Sequence, residues 1–337
     1  MPSLIVDEHG VSIGKTSKRL VVKKRGEVVG EYPVLDVEDV VVLSRGVAIT
    51  SDALELCSEH GVLVHFTDYR HQPYAVLYAP GLHGTVKTRR EQFAALGDRR
   101  GVQAVKSFLV GKLDNQVNTL KYFLRSVEDE GLHRDLKLVI AEIGRYRQRL
   151  IEMDGACLEE ARPHLLNTEG LAAQSYWRGV AALLRDRVVF PGRQVWDPTD
   201  PVNLMLNYGY GLLGSVVMGG ILRAGLDPYG GFLHTDRSGR ESLRFDLMEE
   251  FRPLVDRVIV ALLRRGLKPR LVEEEGRISL EKETRRLLKE RLLERFDQRE
   301  RYNGQRHRLK TIIQLQARAL ATFLRDGKTY RPFRGKW

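Results

Sequence analysis

A stretch of 19 residues without a charged side chain, at positions 204–222, limits the folds open to this chain. A segment of that length is long enough to cross a bilayer, but a helix that is apolar on every side also forms the centre of a large helical domain. Five glycines, two tyrosines and Asn207 dilute its apolar content, and no second segment resembles a membrane span. We therefore expect a core helix and no association with a membrane.

Two regions of different periodicity divide the chain. Up to about Tyr78, short β-branched runs alternate with turn residues, which predicts strands. Beyond a Gly-rich and Pro-rich passage, apolar residues recur mostly at spacings of three and four, as on buried helix faces. The sequence predicts an α+β multidomain protein, with a small N-terminal β-rich domain (1–84) and a larger all-α C-terminal domain (85–337).

Helix boundaries are predicted from capping residues. Within the β-rich region, a helix is predicted to start after Asp52 as N-cap, with Glu55 completing a capping box and Gly61 at the C′ position. In the second region, a helix is predicted to begin at Glu169 with Thr168 as its N-cap. These signals indicate where helices start and end, but not which elements pack together.

Positive charge is concentrated near the C-terminal end. The net charge is +11, and residues 264–337 alone contain 22 Lys and Arg against 10 Asp and Glu, a net charge of +12. Segregation of this kind favours a surface that binds polyanions, nucleic acid being the first candidate and an anionic membrane the second. A basic protein without such a partner is the alternative.

Residues 225–253 combine metal-binding and phosphate-binding side chains. His234 ends a Gly-rich apolar turn, and the helix beyond the next loop carries Asp246, Glu249 and Glu250. Imidazole and carboxylate donors suit a divalent cation with open coordination positions. Arginines suit a phosphate-bearing ligand, and four lie nearby: Arg237, Arg240, Arg244 and Arg252. The combination indicates phosphodiester cleavage or transfer.

Spacing separates the roles of the three carboxylates. Asp246 and Glu249 are three residues apart and share a helix face, so one can coordinate a cation while the other orients a ligand or a bound water. Glu250 lies about 100° around the helix from Glu249, and we expect it to be solvated or paired with an arginine. The structural alternatives are a hydrogen-bonded core histidine at position 234 and simple helix-terminus carboxylates.

Three blocks of the sequence resemble the signature blocks of the CRISPR-associated integrase family Cas-one (Cas1). They are residues 169–177 (EGLAAQSYW), residues 200–210 (DPVNLMLNYGY) and the passage from His234 to Glu249. Residues 42–54 are also similar to that family's strand-to-helix passage. The blocks occur in the family's order, and the resemblance covers essentially the whole chain.

This resemblance implies a site, a reaction and partners. The implied metal ligands are Glu169, His234 and Glu249, with Asp246 as a nearby catalytic carboxylate and Mg²⁺ or Mn²⁺ as the cofactor. The implied activity is that of a DNA integrase and endonuclease: a 3′-hydroxyl of captured DNA attacks a phosphodiester at a CRISPR repeat, and water in its place gives cleavage. The implied partners are double-stranded DNA, a second copy in a homodimer formed with help from the N-terminal domain, and the Cas-two (Cas2) protein in a heterohexamer.

Six basic residues are the predicted DNA contacts. We expect them to neutralise phosphates through sequence-independent contacts. They are Arg178, Arg240, Arg252, Arg285, Arg286 and Lys289. Solvated helix-face charges are the alternative, with Arg285 paired to Glu281 and Arg286 to Glu290. A non-catalytic DNA-binding scaffold is the corresponding alternative function.

The cysteines and the N-terminal residues indicate the compartment. Cys57 and Cys157 have no CxxC partner, so neither a disulfide framework nor a thiolate zinc site is expected. The opening residues, MPSLIVDEHG, lack a basic segment followed by an apolar one. We expect a cytoplasmic protein.

Overall fold

A strand-rich N-terminal part precedes a mostly helical part, which confirms the predicted α+β class. The predicted domain boundary, after position 84, lies outside the described residues. The computed structural model describes residues 3–68, 73–78, 86–234, 239–274 and 276–335.

The N-terminal strands form two sheets, with strand orders β1-β5-β7-β8 and β4-β3-β2-β6. In the first sheet β1, β5 and β7 are parallel and β8 is antiparallel. The elements are β1 (Leu4–Val6), β2 (Val11–Thr16), β3 (Arg19–Lys24), β4 (Glu27–Pro33), a 3-10 turn (Val34–Asp36), β5 (Asp39–Val42), β6 (Ala48–Ile49), α1 (Ser51–Glu59), β7 (Leu63–Thr67) and β8 (Pro73–Leu77).

Strand β5 joins the N-terminal core to the helical core. Its residues are all buried, as expected for a strand whose sheet is covered on both faces. Val40 and Val42 pack in the N-terminal core, whereas Val41 and the following Leu43 pack in the helical core. Alternation along the strand therefore gives the two parts of the molecule a shared apolar contact.

The start of α1 differs from its prediction. The N-cap is Thr50, whose hydroxyl accepts a hydrogen bond from the Ala53 amide at 3.3 Å, and Asp52 lies inside the first turn. The capping-box prediction was wrong by two positions because Thr, like Asp, is a good cap and stands nearer the preceding strand. The predicted C′ residue is confirmed, since Gly61 has the left-handed φ of 68°.

The second part consists of long helices and two short hairpins. Its elements are α2 (Val86–Ala94), a 3-10 turn (Ala95–Gly97), α3 (Arg99–Leu124), α4 (Glu130–Glu152), α5 (Leu158–Leu184), α6 (Pro201–Arg223), α7 (Ser242–Met248), α8 (Arg252–Arg264), β9 (Leu271–Glu274), β10 (Arg277–Leu280), α9 (Lys282–Asp297), β11 (Arg299–Tyr302), β12 (Gln305–Arg308) and α10 (Leu309–Asp326).

The two hairpins show that the all-α prediction for this part was incomplete. Strands β9 and β10 are antiparallel, as are β11 and β12. The second hairpin turns at Asn303 and Gly304, which both have positive φ, as a two-residue hairpin turn requires. Charged residues dominate β11 and β12, so the sequence shows no apolar alternation that would have predicted them.

Helix α5 begins eleven positions before its predicted start. It runs from Leu158, so Glu169 lies near its middle and not at its first turn. Thr168 is no cap, since its hydroxyl donates to the His164 carbonyl at 2.9 Å within the helix. Pro163 lies inside the helix, although a proline there normally suggests a boundary. The position of Glu169 in mid-helix removes the helix-terminus explanation for this carboxylate.

Helix α6 is the central helix of the second part and contacts α7, α8, α9 and α10. It is the one described helix long and apolar enough to span a membrane, but 83% of its most apolar window is buried inside the molecule. Its glycines allow close packing: a Cβ at Gly209 would lie 2.5 Å from the Val255 side chain of α8. The core-helix prediction is confirmed.

A buried carboxylate links three of these helices. Asp256 of α8 accepts hydrogen bonds from the hydroxyls of Tyr210 of α6, at 2.5 Å, and Tyr176 of α5, at 3.0 Å. Burial raises the pKa of Asp256 to about 6, against the lowering effect of the two hydroxyls. Between the ordinary aspartate pKa and about pH 6, the folded protein therefore keeps a proton on Asp256 that the unfolded chain has already released.

We predict that Asp256 makes stability fall as pH rises from about 4 to about 6. A carboxyl whose pKa is raised in the folded protein stabilises the fold fully when the pH is below the pKa of the unfolded chain. This stabilisation is lost as the pH rises through the pKa of the folded protein. Each pKa unit of difference corresponds to about 1.4 kcal/mol. Denaturant unfolding between pH 4 and 7 should show that Asp256→Asn loses this part of the slope. Asp135→Asn, on the exposed face of α4, is the control and should retain it.

Candidate active site

Three chain segments bring the predicted metal ligands to one cleft. Glu169 lies in α5, His234 in the loop before α7, and Glu249 directly after the last residue of α7. All three line the same cleft, with Lys112 of α3 beside them. The fold thus brings together the residues that the sequence resemblance assigned to the metal.

The loop that carries His234 is fixed by the Asp246 carboxylate. Asp246 is fully buried and accepts hydrogen bonds from the backbone amides of Phe232, Leu233 and His234, at 2.5, 3.0 and 3.1 Å. One of its oxygens also lies 2.5 Å from the His234 Nδ1. Three backbone amides stabilise the ionised carboxylate, and a neutral imidazole beside it donates from Nδ1, which leaves on Nε2 a lone pair that can bind a metal.

A glycine lets this loop approach α7. A Cβ at Gly231 would collide with the Ser242 side chain at the first residue of α7, so a larger residue would push the loop outwards. The Gly-rich turn noted in the sequence therefore allows the loop to come close enough to Asp246 for its backbone amides to form hydrogen bonds with the carboxylate. Asp246 positions His234 through backbone and ring at once.

Two carboxylates of the site share one ammonium group. The Lys112 Nζ lies 2.5 Å from the Glu169 Oε1 and also forms an ion pair with the Glu249 Oε2. The other oxygen of Glu249 pairs with the Arg252 Nε at 2.9 Å. Burial of Glu249 acts to raise its pKa, but the positive charges of Lys112 and Arg252 lower the pKa below its usual range, so this carboxyl is ionised at neutral pH.

Lys112 was missed in the sequence, although a signal was present. It lies among fully buried apolar residues of α3, such as Phe108, Leu109 and Leu113, on the face that packs into the core. A lysine in such a stripe needs a buried partner. That requirement indicated an acidic site facing α3, but not which acids form it.

The prediction for Glu250 was wrong. It is fully buried and accepts hydrogen bonds from the Tyr330 hydroxyl, the Gln316 amide at 2.9 Å and the Phe333 backbone amide at 2.7 Å. Burial raises its pKa to about 8. The helical angle correctly turned Glu250 away from Glu249, but the C-terminal residues cover that side and exclude the solvent.

The same C-terminal segment is bound to α3. The Asn115 side chain donates to the carbonyls of Glu250 and Phe333, at 2.8 and 3.0 Å, and accepts from the Gly335 amide at 2.8 Å. Asn115 is three residues after Lys112 on α3. Residues 330–335 therefore support both the helix of Lys112 and the backbone next to Glu249.

The predicted DNA-contact residues fall into two groups. Arg240, Arg252 and Arg285 line the cleft, and the Arg252 guanidinium also lies 4.8 Å from the centre of the Tyr210 ring. The other three are outside the cleft lining, each in an ion pair: Arg178 with Glu142, Arg286 with Glu283 at 2.8 Å, and Lys289 with Asp7 at 2.6 Å. The helix-face alternative paired Arg286 with Glu290, but in the structure its partner is Glu283.

Two further arginines of the 225–253 segment, Arg237 and Arg244, were also predicted to suit a phosphate-bearing ligand. Arg244 is 2% exposed and pairs with the Glu241 carboxylate at 2.8 Å, so its charge is already compensated inside the protein. Arg237 lies outside the described residues. Of the six predicted DNA contacts, those that line the cleft are Arg240, Arg252 and Arg285.

The donor set fits a divalent cation. Among residues 3–68, 73–78, 86–234, 239–274 and 276–335, no three His, Cys, Asp or Glu side chains already converge as a metal-binding group. However, Glu169 and Glu249 already share a cation, the Lys112 ammonium, and the Asp246 contact leaves Nε2 of His234 as the ligand nitrogen. Two carboxylates and one imidazole are donors that Mn²⁺ and Mg²⁺ accept.

Comparison with known proteins gives one consistent result. Residues 4–294 match the family model of the CRISPR associated protein Cas1. The CRISPR-associated endonuclease Cas1 1 of Archaeoglobus fulgidus is 37% identical, over 99% of this chain and 99% of that protein. A solved casposase bound to an integration product has a TM-score of 0.82 at 23% identity, covering 99% of this chain and 93% of the other. A Cas6-RT-Cas1–Cas2 complex has a TM-score of 0.80 at 19% identity, covering 98% and 36%.

We predict that Asp246→Asn destabilises the protein by about 1–3 kcal/mol. An asparagine side chain has one acceptor oxygen for the four donors that Asp246 now serves, so at least two buried groups lose their partner. Denaturant unfolding at pH 7 measures the effect, with Asp135→Asn as the exposed control. A free energy of unfolding equal to that of the wild type would show that the carboxylate does not hold the loop.

Proposed function

The chain belongs to the Cas1 family of CRISPR-associated proteins, which are endonucleases and integrases of CRISPR adaptation, and from this premise we propose that its cleft is a metal-dependent site for DNA cleavage and strand transfer. The observation that carries the proposal is the pair of carboxylates around one cation, buried at Glu249 and partly exposed to the cleft at Glu169, beside a histidine whose Nδ1 is held by Asp246. Arginines on the same cleft wall supply the charge that a phosphodiester needs.

Glu169, His234 and Glu249 would hold Mg²⁺ or Mn²⁺. The bound cation would act as a Lewis acid on the phosphoryl oxygen and lower the pKa of the attacking hydroxyl or water. Asp246 keeps the His234 proton on Nδ1 and keeps the ring in place, which is the usual role of a carboxylate behind a metal-binding histidine. Arg252 is held against Glu249 and places a guanidinium at the cleft wall.

The proposed reaction is a transesterification. A 3′-hydroxyl of one DNA end attacks a phosphorus atom of another strand, so that a new P–O bond forms and the bond to the departing 3′-oxygen breaks. With water as the nucleophile, the same displacement cleaves the strand. Arg240 and Arg252 would neutralise the charge that builds up on the phosphoryl oxygens, because both lie on the wall of this cleft.

Double-stranded DNA would be bound by the cleft arginines and by basic side chains outside it. Arg240, Arg252 and Arg285 are the first candidates. Arg252 also has an ion pair, with Glu249, but it lies on the cleft wall. The other three, Arg178, Arg286 and Lys289, lie outside the cleft lining and would each have to exchange an ion pair for a phosphate, so each should contribute less.

The proposed partners and setting follow those of similar proteins. One similar structure is a casposase bound to an integration product, and another is a complex that contains Cas1 and Cas2. We propose that this chain likewise integrates DNA, as a homodimer that assembles with Cas2 into a heterohexamer. Insertion into a chromosomal array would take place in the cytoplasm.

We predict that Glu169→Gln and Glu249→Gln abolish Mn²⁺-dependent cleavage and strand transfer, while duplex binding is retained. Each substitution removes one anionic ligand and leaves the cleft arginines unchanged. Asp246→Asn should lose about 10- to 100-fold in rate, because it acts on the ligand histidine. Gel-based cleavage and strand-transfer assays measure the rates. Glu160→Gln, an exposed position on the same helix α5, should keep the full rate.

Near-normal turnover of either glutamine variant in Mn²⁺ would contradict the assignment of that residue as a ligand. Complete loss in Asp246→Asn, equal to that in Glu249→Gln, would show that Asp246 itself coordinates. Retained duplex binding without any turnover in the wild-type protein would favour the non-catalytic scaffold.

We predict that the double substitution Arg240→Gln, Arg285→Gln flattens the salt dependence of DNA binding. Each phosphate contact contributes about −0.9 to the slope of log K against log salt on duplex DNA, so the slope should change by about 1.8. Binding isotherms from low to moderate salt provide the measurement. Arg134→Gln, Arg145→Gln removes the same charge from exposed positions of α4, outside the cleft lining. An equal change of slope in both double variants would indicate a non-specific effect of net charge.

A further inference from the structure

The ammonium of Lys112 takes up carboxylate oxygens that a metal would need. Lys112 is 8% exposed, and its stem leaves α3 beside the fully buried Leu109 and Leu113. The Nζ lies 2.5 Å from the Glu169 Oε1 and also contacts the Glu249 Oε2. These two carboxylates come from different helices, and Lys112 connects them.

This arrangement has an electrostatic reason. Two ionised carboxylates side by side repel each other, and the repulsion is stronger than in bulk water here because Glu249 is buried and Glu169 is only partly exposed. A cation between them removes that cost. A divalent cation at the same oxygens would do so too, but it would then be next to the Lys112 ammonium and be repelled by it. The lysine and the metal therefore compete for one position.

We propose that Lys112 is a built-in counter-ion, which holds Glu169 and Glu249 together in the metal-free protein and which a divalent cation must displace in order to bind. The inference rests on the proposed metal-dependent function. Displacement is feasible because lysine is a point charge on a flexible four-carbon stem, and the neighbouring cleft accepts the displaced ammonium. Lys112 thus lowers the metal affinity while keeping the acidic pair in place for the metal.

A second buried lysine provides a matched control. Lys310 is also 8% exposed, and its Nζ lies 3.0 Å from both the Glu38 Oε2 and the Asp297 Oδ1. It therefore joins two carboxylates from different elements, as Lys112 does. Lys310 is outside the cleft lining, so removal of its charge should destabilise the fold without changing metal binding at the site.

The experiment measures Mn²⁺ affinity directly, without DNA or turnover. Electron paramagnetic resonance of unbound Mn²⁺ gives a Kd for the wild type, Lys112→Met, Lys112→Gln, Lys310→Met and Glu169→Gln. Removing a like charge next to the cation should tighten binding by roughly tenfold or more in both Lys112 variants. Lys310→Met should bind like the wild type, and Glu169→Gln should bind more weakly.

Thermal unfolding in EDTA and in Mn²⁺ adds a readout of the counter-ion role. Both lysine-to-methionine variants should unfold at a lower temperature than the wild type in EDTA, because each leaves two carboxylates without their cation. Mn²⁺ should restore much of the loss in Lys112→Met, since ligand binding to the folded state stabilises it. Mn²⁺ should restore none of the loss in Lys310→Met.

The outcomes separate the two proposals. If the wild type binds Mn²⁺ and the Lys112 variants bind it equally or more weakly, the counter-ion inference is wrong and the metal-dependent function stands. If the wild type binds none, or Glu169→Gln binds as the wild type does, the metal proposal fails and the inference fails with it. If both Lys112 variants remain unfolded with Mn²⁺ present, Lys112 is a structural residue that no cation replaces.

Discussion

Two carboxylates that share one ammonium set the conditions for the rest of this site. Glu169 and Glu249 come from elements far apart in the chain, and a cation between them removes the repulsion of two neighbouring negative charges. Lys112 provides that cation from a third element, α3, and so α3, α5 and the end of α7 are connected by charge at the point where they surround the cleft. The apolar core around α6 brings these helices together, and the ion pairs connect the faces that meet in the cleft.

The surroundings of this cluster support it from two sides. On one side Asp246 holds the loop of His234 through three backbone amides and the imidazole ring. On the other side residues 330–335 cover Glu250 and bind Asn115 of α3. The C-terminal segment of this chain therefore supports the backbone of both Lys112 and Glu249, which gives it a structural role in the site.

Local patterns in the sequence predicted the parts of the site that are local in the chain. His234, Asp246 and Glu249 lie in one segment, and the resemblance to a known family added Glu169. Long-range pairs could not be predicted: the sequence does not show that Lys112 faces two acids or that the C-terminal segment buries Glu250. The hairpin of β11 and β12 was missed because charged strands have no apolar alternation, and the start of α5 was misplaced because Thr168 resembles a cap in sequence although it lies inside a helix.

We propose that one cation position, between Glu169 and Glu249 and beside His234, serves the Lys112 ammonium and a divalent metal in turn. Anomalous X-ray diffraction from crystals grown with Mn²⁺, at a wavelength where manganese scatters strongly, tests it most directly. We expect an anomalous peak in contact with both carboxylates and with the Nε2 of His234, and a Lys112 side chain that has moved away from the two acids. Manganese bound elsewhere in the cleft, with the Lys112 ammonium still between Glu169 and Glu249, would contradict it.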